Sequence, residues 1–343
     1  MDSEPVFCPL TPVPYPPSGR LVQAAAEWLG RLSPGPAQKL TMQAVAGTEL
    51  CTHFFPESPT DRLLSLSKHS VWSFQLDDLL ESGELGGPAE AATVLLALVR
   101  IMEAPEAGLL GDLPLAVACA DVARDLWSWA SPVQMDRFTA TFREWMDGFI
   151  WESALRERQD DVSLNTYMAM RVLAAGSANA VAMACMAVGL ELPARQWHDP
   201  AVVAAREAAM AVAVLDNDRY SRAKSVESGD EAPDVVDVIL RRNPDLCPEQ
   251  ALTEAVAIRD RVMALYLRLS AGLRRDADEA LLTYLRCLDL LITGNLDFGA
   301  TCLRYVDPTA PSAGLPWSDK PSDSTPGPVP IPAFAWWWDH VDR

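Results

Sequence analysis

Positive charge is scarce in this 343-residue chain: 28 Lys and Arg stand against 47 Asp and Glu, for a net charge of −19. Nucleic-acid binding needs a basic face that displaces counterions from phosphate, so that class is excluded. Adsorption to anionic lipid is excluded on the same ground. Histidine is scarcer still. Its four copies, His53, His69, His198 and His340, show no ligand spacing, which argues against a histidine-built metal hydrolase. The seven cysteines are odd in number and dispersed, with no C-x-x-C pair, so neither a disulfide framework nor a zinc site is expected, and most read as buried small hydrophobes. Apolar runs long enough to span a bilayer are missing. The opening "MDSEPVFCPLTPVPYPP" lacks the basic and apolar regions of a signal peptide, so a cytoplasmic protein is expected. Alternating strand patterns and fixed repeats are missing too.

What is present is apolar and helical. Hydrophobic residues make up 49% of the chain, enough for a large core. From about Leu21 to Tyr305, apolar residues recur every three or four positions, the period of a helix. "AEAATVLLALVRIMEAP" and "NAVAMACMAVGLEL" are apolar nearly all round and read as interior helices. "CPEQALTEAVAIRDRVMALYLRLSAGL" is amphipathic, with Pro248 at a plausible first helical position. The expected class is all-α, a helical bundle over residues 20–305. It is preceded by a Pro-rich arm over 1–19, with six prolines, and followed by a Pro/Ser-rich tail over 306–343. The tail ends in "AWWWDHVDR", which either docks on the body or a partner, or stays exposed.

"FQLDDLLESGE" places Asp77, Asp78 and Glu81 inside an apolar helical segment. Residues four apart share a helix face, so Asp77 and Glu81 project together with Asp78 beside them. Clustered anions need a cation; Mg²⁺, a hard ion taking carboxylate, water and phosphate oxygens, is the natural one. A solvated acidic helix end before "SGELGG" explains the same letters. "LDNDRYSRAKSVE" sets Asn217 and Ser221 one turn apart, with Lys224 one further turn along. Neutral oxygens beside a lysine suit a metal and a phosphate, or simply a polar helix face.

Together the two stretches resemble the class I terpene synthases, in particular the single-domain bacterial cyclases. That family carries D-D-x-x-D/E on one helix and N-D-x-x-S-x-x-x-E on a facing one. Here they are Asp77-Asp78-Leu79-Leu80-Glu81 and Asn217-Asp218-Arg219-Tyr220-Ser221, 217 − 77 = 140 residues apart. "NTYMAMR" supplies Tyr167 and Arg171, the latter 217 − 171 = 46 residues before the Asn, where the family has its diphosphate-sensing arginine. "TGNLDFGATCLRY" supplies Gly294, Asn295, Phe298 and the Arg304-Tyr305 pair, with Phe298 where Trp is usual. The family's final metal-binding Glu falls on Ser225, and Glu227 is the nearest acid.

The resemblance implies an antiparallel α-bundle that ionises a linear prenyl diphosphate and cyclises the cation to a hydrocarbon or alcohol. Farnesyl diphosphate is the favoured substrate and geranylgeranyl diphosphate the second. Three Mg²⁺ ions are implied: two on the side of Asp77, Asp78 and Glu81, and one held by Asn217 and Ser221, with Ser225 or Glu227 completing it. Arg171, Lys224, Arg304 and Tyr305 would bind the diphosphate. Beyond Arg171 the helix would break at Gly176, with Ala174 linking and Ala175 pointing its carbonyl at the reacting carbon. Trp72, Phe74, Phe149 and Phe298 are candidate cavity aromatics, with ordinary core packing the alternative for each. The arm would fold across the mouth on closure, and a homodimer is possible. A chain-elongating prenyl diphosphate synthase shares these features but would carry a second D-D-x-x-D motif where "NDRYS" stands. A non-enzymatic helical scaffold explains the helices and leaves the spaced polar landmarks unexplained.

Overall fold

The computed structural model describes residues 4–32, 36–158, 162–228, 233–305 and 317–341; of residues 158 and 223–228 it describes the backbone alone. Thirteen α-helices fall within them. In chain order they are α1 (Gly19–Leu32), α2 (Ala37–Phe54), α3 (Thr60–Glu81), α4 (Pro88–Glu103), α5 (Pro114–Trp129), α6 (Pro132–Arg158) and α7 (Leu164–Ala174). There follow α8 (Ser177–Ala187), α9 (Ala194–Trp197), α10 (Pro200–Ser228), α11 (Val235–Arg242), α12 (Pro248–Arg274) and α13 (Glu279–Thr301). Proline opens α4, α5 and α12 at a position where its missing N–H costs nothing. Asp234 and Asp278 cap α11 and α13 through their carboxylates.

The helices that matter for function surround one chamber. α3 packs on α2, α5 and α8; α6 packs on α7 and α8; α10 packs on α12 and α13. α8 and the middle of α10 are buried nearly all round, which is why their sequences carry almost no polar face. Among the described residues one segment, Leu164–Ala187, has the length and hydropathy to cross a membrane. It is broken into α7 and α8 at Gly176 and is mostly interior.

The two ends of the chain meet. Val6–Phe7 (β1) and Trp317–Ser318 (β2) pair in parallel, Val6 opposite Trp317. Behind them lies a buried charged hub. Arg259 on α12 makes two 2.9 Å contacts with Asp216 on α10, pairs with Asp260 and donates to the Phe7 carbonyl. Asp260 in turn accepts from the Ser322 backbone N–H (2.9 Å) and hydroxyl (2.8 Å). Arg219 donates to the Glu4 carbonyl. The arm is therefore seated on α10 and α12, and none of its described residues lines the chamber.

The tryptophan-rich tail docks. Pro332–His340 forms a 3₁₀ helix against α10 and α7. Trp337 is 1% exposed, stacks on Phe334 at 4.1 Å and donates through Nε1 to Glu207 (2.8 Å). The Ala333 N–H donates to Asn165 (2.7 Å). Of the two readings open from sequence, the exposed tail fails because burying aromatic rings outweighs ordering a short segment.

Candidate active site

α3 delivers the acidic cluster. Its C-terminal turns carry Asp77, Asp78 and Glu81, whose oxygens lie within 4.8 Å of one another. Across the chamber, α10 delivers Asn217 and Ser221. The Ser221 hydroxyl donates to the Asn217 carbonyl one turn back (2.8 Å), leaving its lone pairs free to accept. The side chains of Lys224, Ser225 and Glu227 lie outside the described residues.

Two arginines stand between the clusters. Arg304 donates to Asp77 (3.0 Å) and Asp78 (2.8 Å) and lies over the Phe74 ring at 4.7 Å. Burial works against its charge, but Tyr305, Asp77 and Asp78 more than offset that and hold its pKa above the ordinary range. Arg171 donates through Nε to Asp218 (2.7 Å) and through Nη2 to Asn217 Oδ1 (3.0 Å). Burial opposes that charge too, and Asp218, Tyr167 and Glu152 outweigh it. Tyr305 accepts a long bond from Asn217 Nδ2 (3.4 Å).

The helix break follows Arg171 as expected. Gly176 sits at φ 65°, a left-handed conformation that favours glycine. A Cβ there would meet the Trp145 ring at 3.0 Å. Trp145 donates through Nε1 to the Ala174 carbonyl (2.9 Å). α6 can come this close because Gly148 has no side chain: a Cβ would lie 2.4 Å from the Ala174 nitrogen. Ala175 and Gly176 both line the chamber.

The chamber holds about 260 Å³ of free space. Phe74, Phe149 and Phe298 are in its wall. Trp72 is not. It is 0% exposed and donates through Nε1 to the Leu115 carbonyl (2.9 Å), facing α5. It lies five residues before Asp77, about 140° round the helix at 3.6 residues per turn; Phe74, three before, keeps the same side.

Several wall residues had no role in the sequence reading. Asp218 is 2% exposed and accepts from Tyr167 (2.5 Å), Arg171 and the Val235 N–H (3.2 Å). Glu152 on α6 faces Arg171, and burial pushes its pKa up. Asp234 accepts from Arg222 at the start of α11. Asn295 donates to the Ala213 carbonyl (3.0 Å), tying α13 to α10. His69 and Asn179 form a buried pair in the wall.

A family model described as terpene synthase family 2, C-terminal metal binding, matches residues 68–264. The chain belongs to the terpene synthases. Spiroviolene synthase of Streptomyces violens is 33% identical, with 99% of this chain and 97% of that protein aligned. Diterpene cyclase DtcycB of a Streptomyces species is 30% identical, over 97% and 96%. A crystal structure of a variant of the SVS_A2 protein, from ancestral sequence reconstruction, superposes with a TM-score of 0.88 at 33% identity, covering 98% of this chain and 99% of that one. As a terpene synthase of a metal-binding family, the protein uses a divalent metal. The oxygen-only donor set of Asp77, Asp78 and Glu81 fits a hard cation.

Proposed function

We propose that this terpene synthase ionises geranylgeranyl diphosphate and cyclises the resulting cation. The observation that carries the reading is the pairing of oxygen-ligand sets on α3 and α10 over one aromatic chamber, with Arg171 and Arg304 between them. The twenty-carbon substrate is favoured over farnesyl diphosphate because a relative 30% identical over nearly the whole chain is a diterpene cyclase.

Mg²⁺ ions held by Asp77, Asp78 and Glu81 on one side and by Asn217 and Ser221 on the other would supply Lewis-acid stabilisation to the leaving diphosphate. The arginines now engaged with Asp77, Asp78, Asn217 and Asp218 have N–H donors suited to forked contacts with phosphate oxygens. Tyr305 adds a hydroxyl. Losing one such donor is expected to raise the barrier by roughly 3 kcal/mol. Ala175, at the helix break, offers a backbone carbonyl dipole to the nascent cation. Phe74, Phe149 and Phe298 present ring faces that stabilise positive charge without reacting. The apolar wall excludes water that would quench the cation.

The test is incubation with C10, C15 and C20 prenyl diphosphates and Mg²⁺, hexane extraction and mass spectrometry. The reading expects cyclic product from the C20 substrate alone, without isopentenyl diphosphate. Product only from C15 overturns the chain length. Consumption of isopentenyl diphosphate to give longer diphosphates points to elongation, and no turnover of any substrate removes the cyclase reading.

A further inference from the structure

Three arginines are in the chamber wall among the described residues, and two of them are committed. Arg304 is hydrogen-bonded to Asp77 and Asp78, and Arg171 to Asn217 and Asp218. The third, Arg156 near the end of α6, belongs to none of the sequence motifs. Its ion pair with Glu152, 3.8 Å long, is beyond hydrogen-bond distance. Its side chain lines the chamber and is still 38% exposed, which places it at the opening.

α6 carries Arg156 there on a single stripe. Trp145, Phe149, Glu152 and Arg156 all line the chamber, and their spacing keeps one face of the helix. The stripe begins under the helix break, where Trp145 donates to the Ala174 carbonyl. From there 156 − 145 = 11 residues of helix carry Arg156 about 16 Å further along. The direction is toward the charged end. Gly148 abuts Ala174, and Glu152, one turn on, faces the charge of Arg171, one turn earlier on α7. α6 and α7 are therefore antiparallel, and Arg156 comes level with Tyr167, whose hydroxyl donates to Asp218 (2.5 Å). Ser221 and Asp234 bound the same chamber.

Resting on the cyclase reading above, we propose that Arg156 is a third arginine of the diphosphate site, the one that captures the substrate's head group as it enters. The three arginines differ in what they give up. Arg171 and Arg304 must leave short hydrogen bonds inside the wall to reach phosphate. Arg156 leaves one loose, partly exposed ion pair, which contributes little. Its guanidinium is then available for a forked contact with phosphate oxygens. The need for it is electrostatic. A chain of net charge −19 repels a polyanion until a local cation reverses the sign, and Asp77, Glu81, Glu152, Asp218 and Asp234 add carboxylates to this wall. An arginine at the opening supplies that cation before any metal is bound. A contact made on entry and kept through ionisation strengthens substrate and transition-state binding alike, so it acts on KM more than on kcat.

Two assays compare wild type with Arg156→Gln and Arg156→Lys. Both replacements are straight-chain helix formers at a partly exposed position, so the fold is kept, and matching thermal melts check it. In calorimetry with inorganic diphosphate and Mg²⁺, Arg156→Gln is expected to bind roughly tenfold more weakly than wild type. Arg156→Lys falls between them, and the gap narrows as ionic strength rises. In turnover of geranylgeranyl diphosphate, KM of Arg156→Gln is expected to rise by a similar factor, with kcat within about twofold and the product spectrum unchanged. Equal diphosphate affinity in wild type and Arg156→Gln overturns the inference. So does a fall in kcat at unchanged KM, a lysine variant as weak as the glutamine one, or a wild type that binds no diphosphate. A wild type that turns over no prenyl diphosphate removes the cyclase reading, and the calorimetry still decides for or against Arg156.

Discussion

At the scale of single residues, the site is built on charges that hold one another in place. Asp218 is the clearest case, since one carboxylate fixes Arg171, Tyr167 and the first N–H of α11. Asp218→Asn leaves the Arg171 charge enclosed without its anion. It is expected to cost about 3 kcal/mol in urea unfolding and to slow diphosphate release, because the guanidinium loses its aim. His69 gives a pH signature. The unfolded chain binds a proton there near pH 6.5 and the folded chain only near pH 4. As pH falls through that window the unfolded state holds more protons, so stability drops, by up to about 3 kcal/mol. Urea titrations of wild type and His69→Phe at pH 7 and pH 4.5 are expected to show a smaller acid loss in the variant. The convergence of Asp77, Asp78 and Glu81 was legible because fixed spacings along a helix give a fixed face, whereas Arg171 and Arg304 were pointed to only by the family resemblance. Trp72 was misassigned, although its offset of five residues from Asp77 carried the answer. Asp218 was visible as a letter of the motif, but its role was not, since Tyr167 and Val235 come close only in three dimensions. His69 and Asn179 were silent for the same reason: a hydrogen bond between residues 110 positions apart leaves no local pattern.

At the scale of elements, the break between α7 and α8 is the feature on which the chamber's geometry turns. It needs Gly176 for its left-handed φ and Gly148 for the close approach of α6. Gly148→Ala puts a methyl group into backbone atoms that cannot yield, and is expected to destabilise by about 2 kcal/mol and to cut turnover by displacing Arg171. Circular dichroism melting and diphosphate release measure the two effects. The helical nature of these elements followed from their 3.6-residue period. Their pairing did not, because α8 and the middle of α10 are so nearly apolar all round that no face is marked in the letters.

At the scale of the whole molecule, both chain ends are part of the structure. The arm contributes buried Val6 and Phe7 and a carbonyl for Arg259; the tail contributes Trp337 and Phe334. Trp337→Ala is expected to cost about 4 kcal/mol, read as a fall in the midpoint of thermal unfolding, and to leave Glu207 without its donor. Composition marked both segments as irregular; among the described residues each carries one short strand, and the tail a 3₁₀ helix at Pro332–His340. It could not reveal that they meet, because two residues of β pairing have no sequence signature.

Three consecutive residues of α10 serve two places: Asp216 the hub beneath the β1–β2 pairing, and Asn217 and Asp218 the chamber, where both meet Arg171. Loss of the β1–β2 pairing or of the Ser322 contact is therefore expected to loosen the turn that presents Asn217. Under limited proteolysis, removal of Val6–Phe7 or of residues 317–322 and decay of catalysis are expected to follow one time course, because both segments reach the chemistry through a single helical turn.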